Sequence, residues 1–371
     1  MNGELRGKID ASGTGTRHAG RDGTGPDGTT VNGSASAGTE AYGTGPYGNG
    51  PYGNGPREEI AGRFVAEVES GRLDLPLPGA GRTGQRWEAL GALARHDLSL
   101  ARLCEGHADA LAIISELDGP APAHGSRWGV WAAQPPGPPL SALSEGAGWR
   151  LHGTKRYCSG ARVCTHALVT AETPDGPRLF AVGTRDLRPV TDSWPATGMA
   201  ASDTLDVHFD AIPAEPVGPV DGYVGRPGFH HGGAGVAACW YGGARGIAET
   251  LLTAAGERDV GPHALAHLGA VDVALRAARS ALERAADEID ADPHDLKKAG
   301  RQRSLRLKTL VEAVATEVMG RVGRALGAGP LAHDGAHGRR VADLTVYLRQ
   351  HHAERDLATL GALVAEQGTA W

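Results

Sequence analysis

Cysteine and histidine are the residue types with which this chain could bind a metal or attack a substrate covalently, and their spacing favours neither. The four cysteines form no C-x-x-C pair and no cysteine–histidine zinc pattern. Two histidine pairs have the i, i+4 spacing of a helical metal site, but neither has a third ligand or an adjacent glutamate. We therefore predict no metal site, and reduced thiols in a cytoplasmic protein. The residues concerned are Cys104, Cys158, Cys164 and Cys239, with His263/His267 and His333/His337.

An aromatic ring followed closely by a hydroxyl group marks the segment from Trp149 to Ala161. It reads Trp-Arg-Leu-His-Gly-Thr-Lys-Arg-Tyr-Cys-Ser-Gly-Ala. It resembles the middle-domain motif of the acyl-CoA dehydrogenase superfamily, in which a β hairpin presents a ring and then a hydroxyl residue to a flavin. The resemblance implies that Tyr157, Cys158 and Ser159 contact the cofactor, Tyr157 by packing on the isoalloxazine and Ser159 through its N–H and hydroxyl. Cys158 is expected to be a packing residue, because no histidine or other base adjoins it in sequence.

A second segment, from Trp194 to Pro213, resembles the glycine–methionine strand pair of the same superfamily. Ala200 stands there in place of a family arginine. A third, from Leu326 to Asp343, resembles the family's glycine loop and arginine–aspartate pair, with Ala342 in the arginine position. Together the three segments extend the resemblance over about 57–361.

The third segment also implies a binding site for the nucleotide part of FAD. Its small residues, Gly327, Ala328 and Gly329, would let the backbone approach the pyrophosphate or the adenosine closely. Arg258 is the candidate arginine of the family's pyrophosphate motif, although Val260 and Gly261 replace the residues that follow it in the family.

The glutamate that superfamily dehydrogenases use as a base is absent from both places where the resemblance predicts it. Eight residues after Asp343 stands His351, and the alternative position falls within 233–236, which has no acid. His351 is therefore an acid–base group, or a group that hydrogen-bonds a flavin intermediate, or a bundle histidine with its hydrogen bonds satisfied. A histidine here also resembles the flavin monooxygenase branch of the superfamily. The loop that helps to hold acyl-CoA in the family is replaced by 134–140, which argues against an acyl thioester.

The elements that must position these residues follow from composition and periodicity. Residues 1–56 are rich in glycine, threonine, serine and asparagine and are predicted to form a disordered tail. Residues 57–123 indicate a shortened helical domain, 124–221 a β domain, and 222–371 a four-helix bundle. The predicted fold class is α+β, with an antiparallel sheet or barrel between two helical units.

Three finer predictions concern the bundle. The small residues of 235–255 favour a close approach between helices. Asp292 and Pro293 predict the start of the third long helix, as cap and first helical residue. One uninterrupted helix is predicted over about 339–363.

Composition limits the partners. The 371 residues carry a net charge of -6 and contain no basic tract interleaved with aromatic residues, so nucleic acid is not expected as a partner. No run of 18 apolar residues occurs, so membrane insertion is not expected either.

The resemblance implies an FAD-dependent oxidoreductase, with FMN as the alternative cofactor. It would oxidise an organic substrate, an acyl thioester being one candidate, as a homodimer or homotetramer. Two alternatives remain open: a monooxygenase that uses reduced flavin and oxygen, served by a flavin reductase or another electron partner, and an inactive relative that keeps the fold for binding or assembly.

Overall fold

A computed structural model describes residues 55–146 and 148–368, in which three helices precede seven strands and a further series of helices follows. Of the predicted tail, 1–56, only the last two residues are among these, and they begin the first helix. The first three helices are α1 Gly55–Glu69, α2 Thr83–His96 and α3 Leu98–Glu116. They agree with the helical periodicity of the sequence.

Apolar side chains at helical spacing hold the first and third helices together. Ile60 and Phe64 of α1 pack in one buried cluster with Leu100 and Leu103 of α3. Asp97 begins α3, because its side chain accepts the N–H of Leu100 at 2.8 Å.

The strands form one sheet that closes on itself. β3 pairs with β2 and β7, β7 with β5, and β5 with β4, while β4 returns to β2 at Ser141 and Glu172. Inward-facing side chains, among them Trp131, Phe180 and Phe209, fill the interior. The strands are β1 Trp128–Trp131, β2 Ser141–Glu145, β3 Gly148–Cys158, β4 His166–Thr173, β5 Gly176–Gly183, β6 Arg188–Val190 and β7 Leu205–Val217.

The purely antiparallel arrangement predicted from the sequence is wrong at one edge. β1 runs parallel to β4, with Trp128 opposite His166, and β2 also meets β4 in parallel. The long connection from β1 to β4 allows this pairing, since a two-residue hairpin joins only antiparallel strands.

The remaining helices form the C-terminal region, in which α5, α6 and α7 pack on one another, α9 packs on α5 and α10 packs on α7. They are α4 Gly222–Gly225, α5 Pro227–Glu257, α6 Gly261–Ala291, α7 Gly300–Leu326, α8 Gly329–His333, α9 Gly335–Tyr347 and α10 Glu354–Gln367.

The predicted close helix approach involves α2 and α5. A Cβ on Gly242 would lie 2.2 Å from the carbonyl oxygen of Gly91, and one on Gly246 would lie 2.3 Å from that of Arg95. Only glycine allows such a distance, so the small residues of α5 determine how closely α2 packs.

The predicted start of the third long helix at Asp292 and Pro293 is wrong. Asp292 instead accepts the N–H groups of Leu296 and Lys297 and holds a turn. The helix begins eight residues later, where Asp295 accepts the N–H of Gly300 at 2.7 Å.

The single helix predicted over 339–363 is interrupted. α9 ends at Tyr347, a short 3-10 turn follows over Leu348–Gln350, and Ala353 has a φ of 47°. Asp356 accepts the N–H of His352 at 3.1 Å and so stabilises the start of α10.

Candidate functional site

The aromatic–hydroxyl segment lies at the end of β3, where the strand leaves its regular pairing with β7. The register shifts between Lys155 and Cys158, and Tyr157 has a φ of 61°. This irregularity turns the Tyr157 side chain outward, and it is 49% exposed while Cys158 is fully buried. The ring meets Trp194 edge to face, with centroids 6.1 Å apart. Tyr157 therefore offers an exposed aromatic surface beside a second ring.

Ser159, the next polar residue, belongs to a row of buried hydroxyl groups. Its Oγ lies 2.9 Å from Thr204 Oγ1, which in turn lies 2.7 Å from Ser202 Oγ. Ser202 donates to the carbonyl of Met199 at 2.7 Å. The Ser159 carbonyl accepts the indole N–H of Trp131 at 3.0 Å, which fixes the backbone here. The row connects the end of β3 with the loop before β7.

A cavity of about 330 Å³ adjoins both features, since Trp194 and Thr204 are part of its lining. Asp203 also lines it and forms salt bridges with Arg57 and Arg162. Arg339 lines the cavity as well, and it makes no salt bridge within 55–146 and 148–368. The cavity thus combines an aromatic wall with a cation that has no carboxylate partner in the described chain.

Asp343 of α9 reaches the same cavity, although the sequence resemblance assigned it only to the family's arginine–aspartate pair. It is 3% exposed and accepts the N–H of Met199 and the hydroxyl of Ser99. Burial raises the pKa of this carboxyl to about 7. Asp343 can therefore hold or release a proton near neutral pH beside the cavity.

Trp194, Thr204 and Arg339 were not predicted as site residues either. All three lie in segments that the superfamily resemblance covers, Trp194 and Thr204 in the second and Arg339 in the third, but the resemblance assigned none of them to the cofactor. Thr204 reaches the cavity from the loop before β7, and Arg339 reaches it from α9. Neither the residue types nor their positions in the sequence predict this contact.

Cys158 points into the barrel. Its Sγ donates to the carbonyl of Lys155 at 3.3 Å, and burial raises the pKa of the thiol well above its ordinary value. Lys155 is buried as well and donates to the carbonyl and hydroxyl of Thr170 at 2.9 and 2.8 Å. Burial lowers the pKa of its ammonium group to about 8. Cys158 has the environment of an unreactive packing thiol.

His351 is also buried, and both of its ring nitrogens have partners. Nδ1 accepts the N–H of Ala353 at 3.3 Å, and Nε2 lies 3.0 Å from Thr309 Oγ1. Because a backbone N–H can only donate, Nδ1 is unprotonated and Nε2 carries the proton in this arrangement. Burial lowers the pKa of the ring, which favours the same neutral form. The acid–base role of His351 stays a prediction that would require one of these bonds to break.

The residues predicted to bind the nucleotide part of FAD lie at helix ends. Gly327, Ala328 and Gly329 form the exposed turn between α7 and α8, where Gly327 has a φ of 68°. Arg258 is exposed at the end of α5. In the described chain, no hydrogen bond or salt bridge links any of them to Tyr157, Cys158 or Ser159. Their contact with a cofactor stays a prediction.

The loop that replaces the family's acyl-CoA segment lines a second cavity, of about 540 Å³. Residues 134–140 line it together with Lys155, Arg156 and Asp206. Four prolines make this loop stiff. Because proline has no backbone N–H, the loop also offers few N–H groups to a ligand.

Two further findings hold for residues 55–146 and 148–368. No three histidine, cysteine or carboxylate side chains lie close enough together to hold a metal ion. None of the helices combines the length and apolar character needed to cross a membrane.

No protein-family model and no curated protein sequence matches this chain. Solved structures do. KijD3 in complex with FMN and dTDP-3-amino-2,3,6-trideoxy-4-keto-3-methyl-D-glucose is similar over 87% of this chain and 96% of its own, with 21% identity and a TM-score of 0.67.

Two other solved structures are similar to the same extent. The Tcur3481–Tcur3483 steroid ACAD matches 85% of this chain and 98% of its own, with 22% identity and a TM-score of 0.64. Methanesulfinate monooxygenase MsuC from Pseudomonas fluorescens matches 85% and 97%, with 18% identity and a TM-score of 0.67. The chain therefore has the fold of the acyl-CoA dehydrogenase superfamily, with a monooxygenase among the structures it resembles, as its motifs predicted.

Proposed function

We propose that this protein is a flavin-dependent oxidoreductase that binds its flavin against Tyr157 and oxidises a small organic substrate. The observation that carries the proposal is the junction at the end of β3. An exposed ring at the flavin-motif position meets Trp194, and the adjacent hydroxyl row borders a cavity of about 330 Å³. Cavities of this size hold small ligands and parts of cofactors. The FMN in the similar KijD3 structure adds support from the fold.

The residues at this junction fit a flavin chemically. The Tyr157 ring can pack on the apolar face of the isoalloxazine, and Ser159 offers polar atoms to its edge. Arg339 can pair with a phosphate, because it makes no salt bridge in the described chain. We propose FAD, with the turn at Gly327–Gly329 and Arg258 for the nucleotide, and FMN as the alternative. When bound, the flavin would accept electrons from the substrate.

Proton transfer in this site is assigned to Asp343. The two positions of the family base hold His351 and the acid-free stretch 233–236. Asp343, in contrast, lines the cavity and has a pKa raised by burial to about 7. A group with this pKa can accept a proton from a bound substrate and return it to water near neutral pH.

A monooxygenase is the second candidate, and the missing carboxylate favours it. A chain without the dehydrogenase base at either position cannot run ordinary α-proton abstraction by that route. The similar MsuC structure is named a monooxygenase. Such an enzyme requires a partner that delivers reduced flavin, and we propose a flavin reductase in that case, with the protein acting as a homodimer or homotetramer in either case.

The test is flavin binding by the purified full chain. We expect FAD or FMN to bind, and Tyr157→Ala to weaken binding about tenfold through the loss of ring packing. Leu143→Ala is the control, because Leu143 is an exposed apolar side chain on β2, outside the lining of the cavity. A protein that binds neither flavin contradicts the proposal and supports the third alternative, an inactive binding or assembly protein.

Reaction type is decided in a second step. Bleaching of the bound flavin by an acyl-CoA without oxygen supports dehydrogenation. Incorporation of isotopically labelled oxygen into a product, with reduced flavin supplied, supports the monooxygenase.

A further inference from the structure

The row of three hydroxyl groups behind the flavin motif has a fixed end. Ser202 Oγ donates to the carbonyl oxygen of Met199 at 2.7 Å, and a carbonyl can only accept. The N–H of the same Met199 donates to Asp343 of α9, so the backbone of this residue is held on both sides.

Counting protons then gives the direction of every bond in the row. Ser202 has one hydroxyl proton, and Met199 receives it. Thr204 must therefore donate to Ser202, and the proton of Thr204 is used in that bond. Ser159 must in turn donate to Thr204. Each hydroxyl donates once, so the direction of the whole row follows from the single carbonyl at its end.

Burial of the three hydroxyl groups stabilises this direction of the hydrogen bonds. Ser202 is completely buried, and Thr204 and Ser159 are 7% and 9% exposed. The Ser202 end of the row is therefore closed to water, which cannot supply a second acceptor there. Reversing the row would cost the hydrogen bond from Ser202 Oγ, and the buried Met199 carbonyl would keep only the N–H of Ser202, at 3.1 Å.

We propose that Thr204 and Ser202 are positioning residues that make the Ser159 hydroxyl a hydrogen-bond acceptor towards the flavin, so that the site favours the reduced flavin over the oxidised one. This inference rests on the proposed function. The oxidised isoalloxazine presents an unprotonated ring nitrogen at its reactive edge, whereas the reduced ring presents an N–H there. A hydroxyl that can only accept forms a hydrogen bond with the N–H of the reduced ring and not with the unprotonated nitrogen of the oxidised ring.

The test measures the dissociation constants of the oxidised and the reduced flavin for four proteins: the wild type, Ser159→Ala, Thr204→Val and Thr184→Val. One hydrogen bond corresponds to about a three- to tenfold difference, so we expect the wild type to bind reduced flavin tighter by about that factor. For a two-electron couple, a tenfold preference raises the midpoint potential of the bound flavin by about 30 mV.

Thr204→Val gives the decisive readout. It removes the acceptor of Ser159 and frees the Ser159 proton for the oxidised ring. We expect it to bind oxidised flavin more tightly than the wild type does, and to lower the midpoint potential. A merely structural role of Thr204 would weaken both forms together. Ser159→Ala should abolish the preference. Thr184→Val is the control, because it removes a half-buried hydroxyl, just after β5, that donates to the carbonyl of Cys164 at 2.6 Å and lies outside the row.

Two further variants keep the test open if Thr204→Val does not fold. Thr204→Ser retains the row and should retain the preference. Ser202→Ala removes the fixed end and should reduce it. Equal affinities for both forms in the wild type, with no change in these variants, would overturn the inference while leaving flavin binding intact. Failure of the wild type to bind either flavin would instead overturn the proposed function itself.

Discussion

Each cysteine of this chain is enclosed by protein, which limits its thiol chemistry at the level of single residues. Cys104, Cys158, Cys164 and Cys239 are all buried and unpaired. Burial raises the pKa of every one of these thiols. A thiolate is the reactive form, so the folded protein should react slowly.

We predict that an aromatic disulfide reagent at about pH 8 labels no thiol of the folded protein within minutes and labels all four after denaturation in guanidinium chloride. The denatured sample is the control for reagent and stoichiometry. Rapid labelling of Cys158 in the native protein would contradict its assignment as an unreactive packing residue beside the flavin motif.

At the scale of elements, the loop before β7 must touch α9 closely for the cavity to form. A Cβ on Gly198 would lie 2.3 Å from the carbonyl oxygen of Ala342 and 2.6 Å from a methyl group of Val346. Gly198→Ala would therefore push the loop away from α9 and strain the bond between Met199 and Asp343. Overpacking of this kind typically costs about 1–3 kcal/mol.

We predict that Gly198→Ala lowers the free energy of unfolding by about that amount and weakens flavin binding, as measured by urea denaturation and by flavin titration. Gly361→Ala is the matched control, because a Cβ there meets nothing within 4 Å on the exposed side of α10. Alanine in a helix is more stable than glycine by about 0.5–1 kcal/mol, so the control should gain stability. Equal effects of the two substitutions would show that the contact is not as close as the structure has it.

The same elements show what the sequence could and could not predict. The helices α2 and α3 follow from apolar residues that repeat on one face, such as Trp87 and Leu90, and such repeats survive in any tertiary context. The start of α7 was predicted wrongly because the carboxylate of Asp292 holds a turn through the N–H groups of Leu296 and Lys297, and local sequence does not distinguish such an aspartate from a helix cap. The break after Tyr347 includes Ala353 at a φ of 47°, and the sequence does not indicate it because alanine rarely adopts a positive φ.

The residues of the site could be predicted from the sequence to a similar degree as the helices. Tyr157 and Ser159 were identified because the motif keeps their order along one strand. Their partners Trp194 and Thr204 come from a loop about forty residues later, and this contact depends on how β3 and β7 pair and on the register shift beside Tyr157. Residue type alone does not contain that information.

At the scale of the whole molecule, buried carboxyl groups make folding depend on pH. Burial raises the pKa of Asp343 to about 7, and it also raises the pKa of Glu105, on α3, above its ordinary value against the opposing charge of Arg102. In the unfolded chain these groups ionise near their ordinary values, about 4. Between about pH 4 and pH 7 the folded protein therefore holds protons that the unfolded chain has lost, and stability falls as pH rises through this range.

Asp343→Asn isolates one of these contributions. The amide cannot ionise, and its oxygen can still accept the N–H of Met199. We predict that the variant gains stability relative to the wild type as pH rises from about 4 to about 7, up to about 4 kcal/mol, and that the difference is constant at higher pH. Urea denaturation at a series of pH values measures it. Asp272→Asn is the control, since Asp272 is an exposed partner of Arg276 and should give a difference that changes little with pH. A gain of the Asp343 variant that shrinks as pH rises would mean that the carboxyl is ionised in the folded protein at low pH, which would remove the basis for assigning it proton transfer beside the cavity.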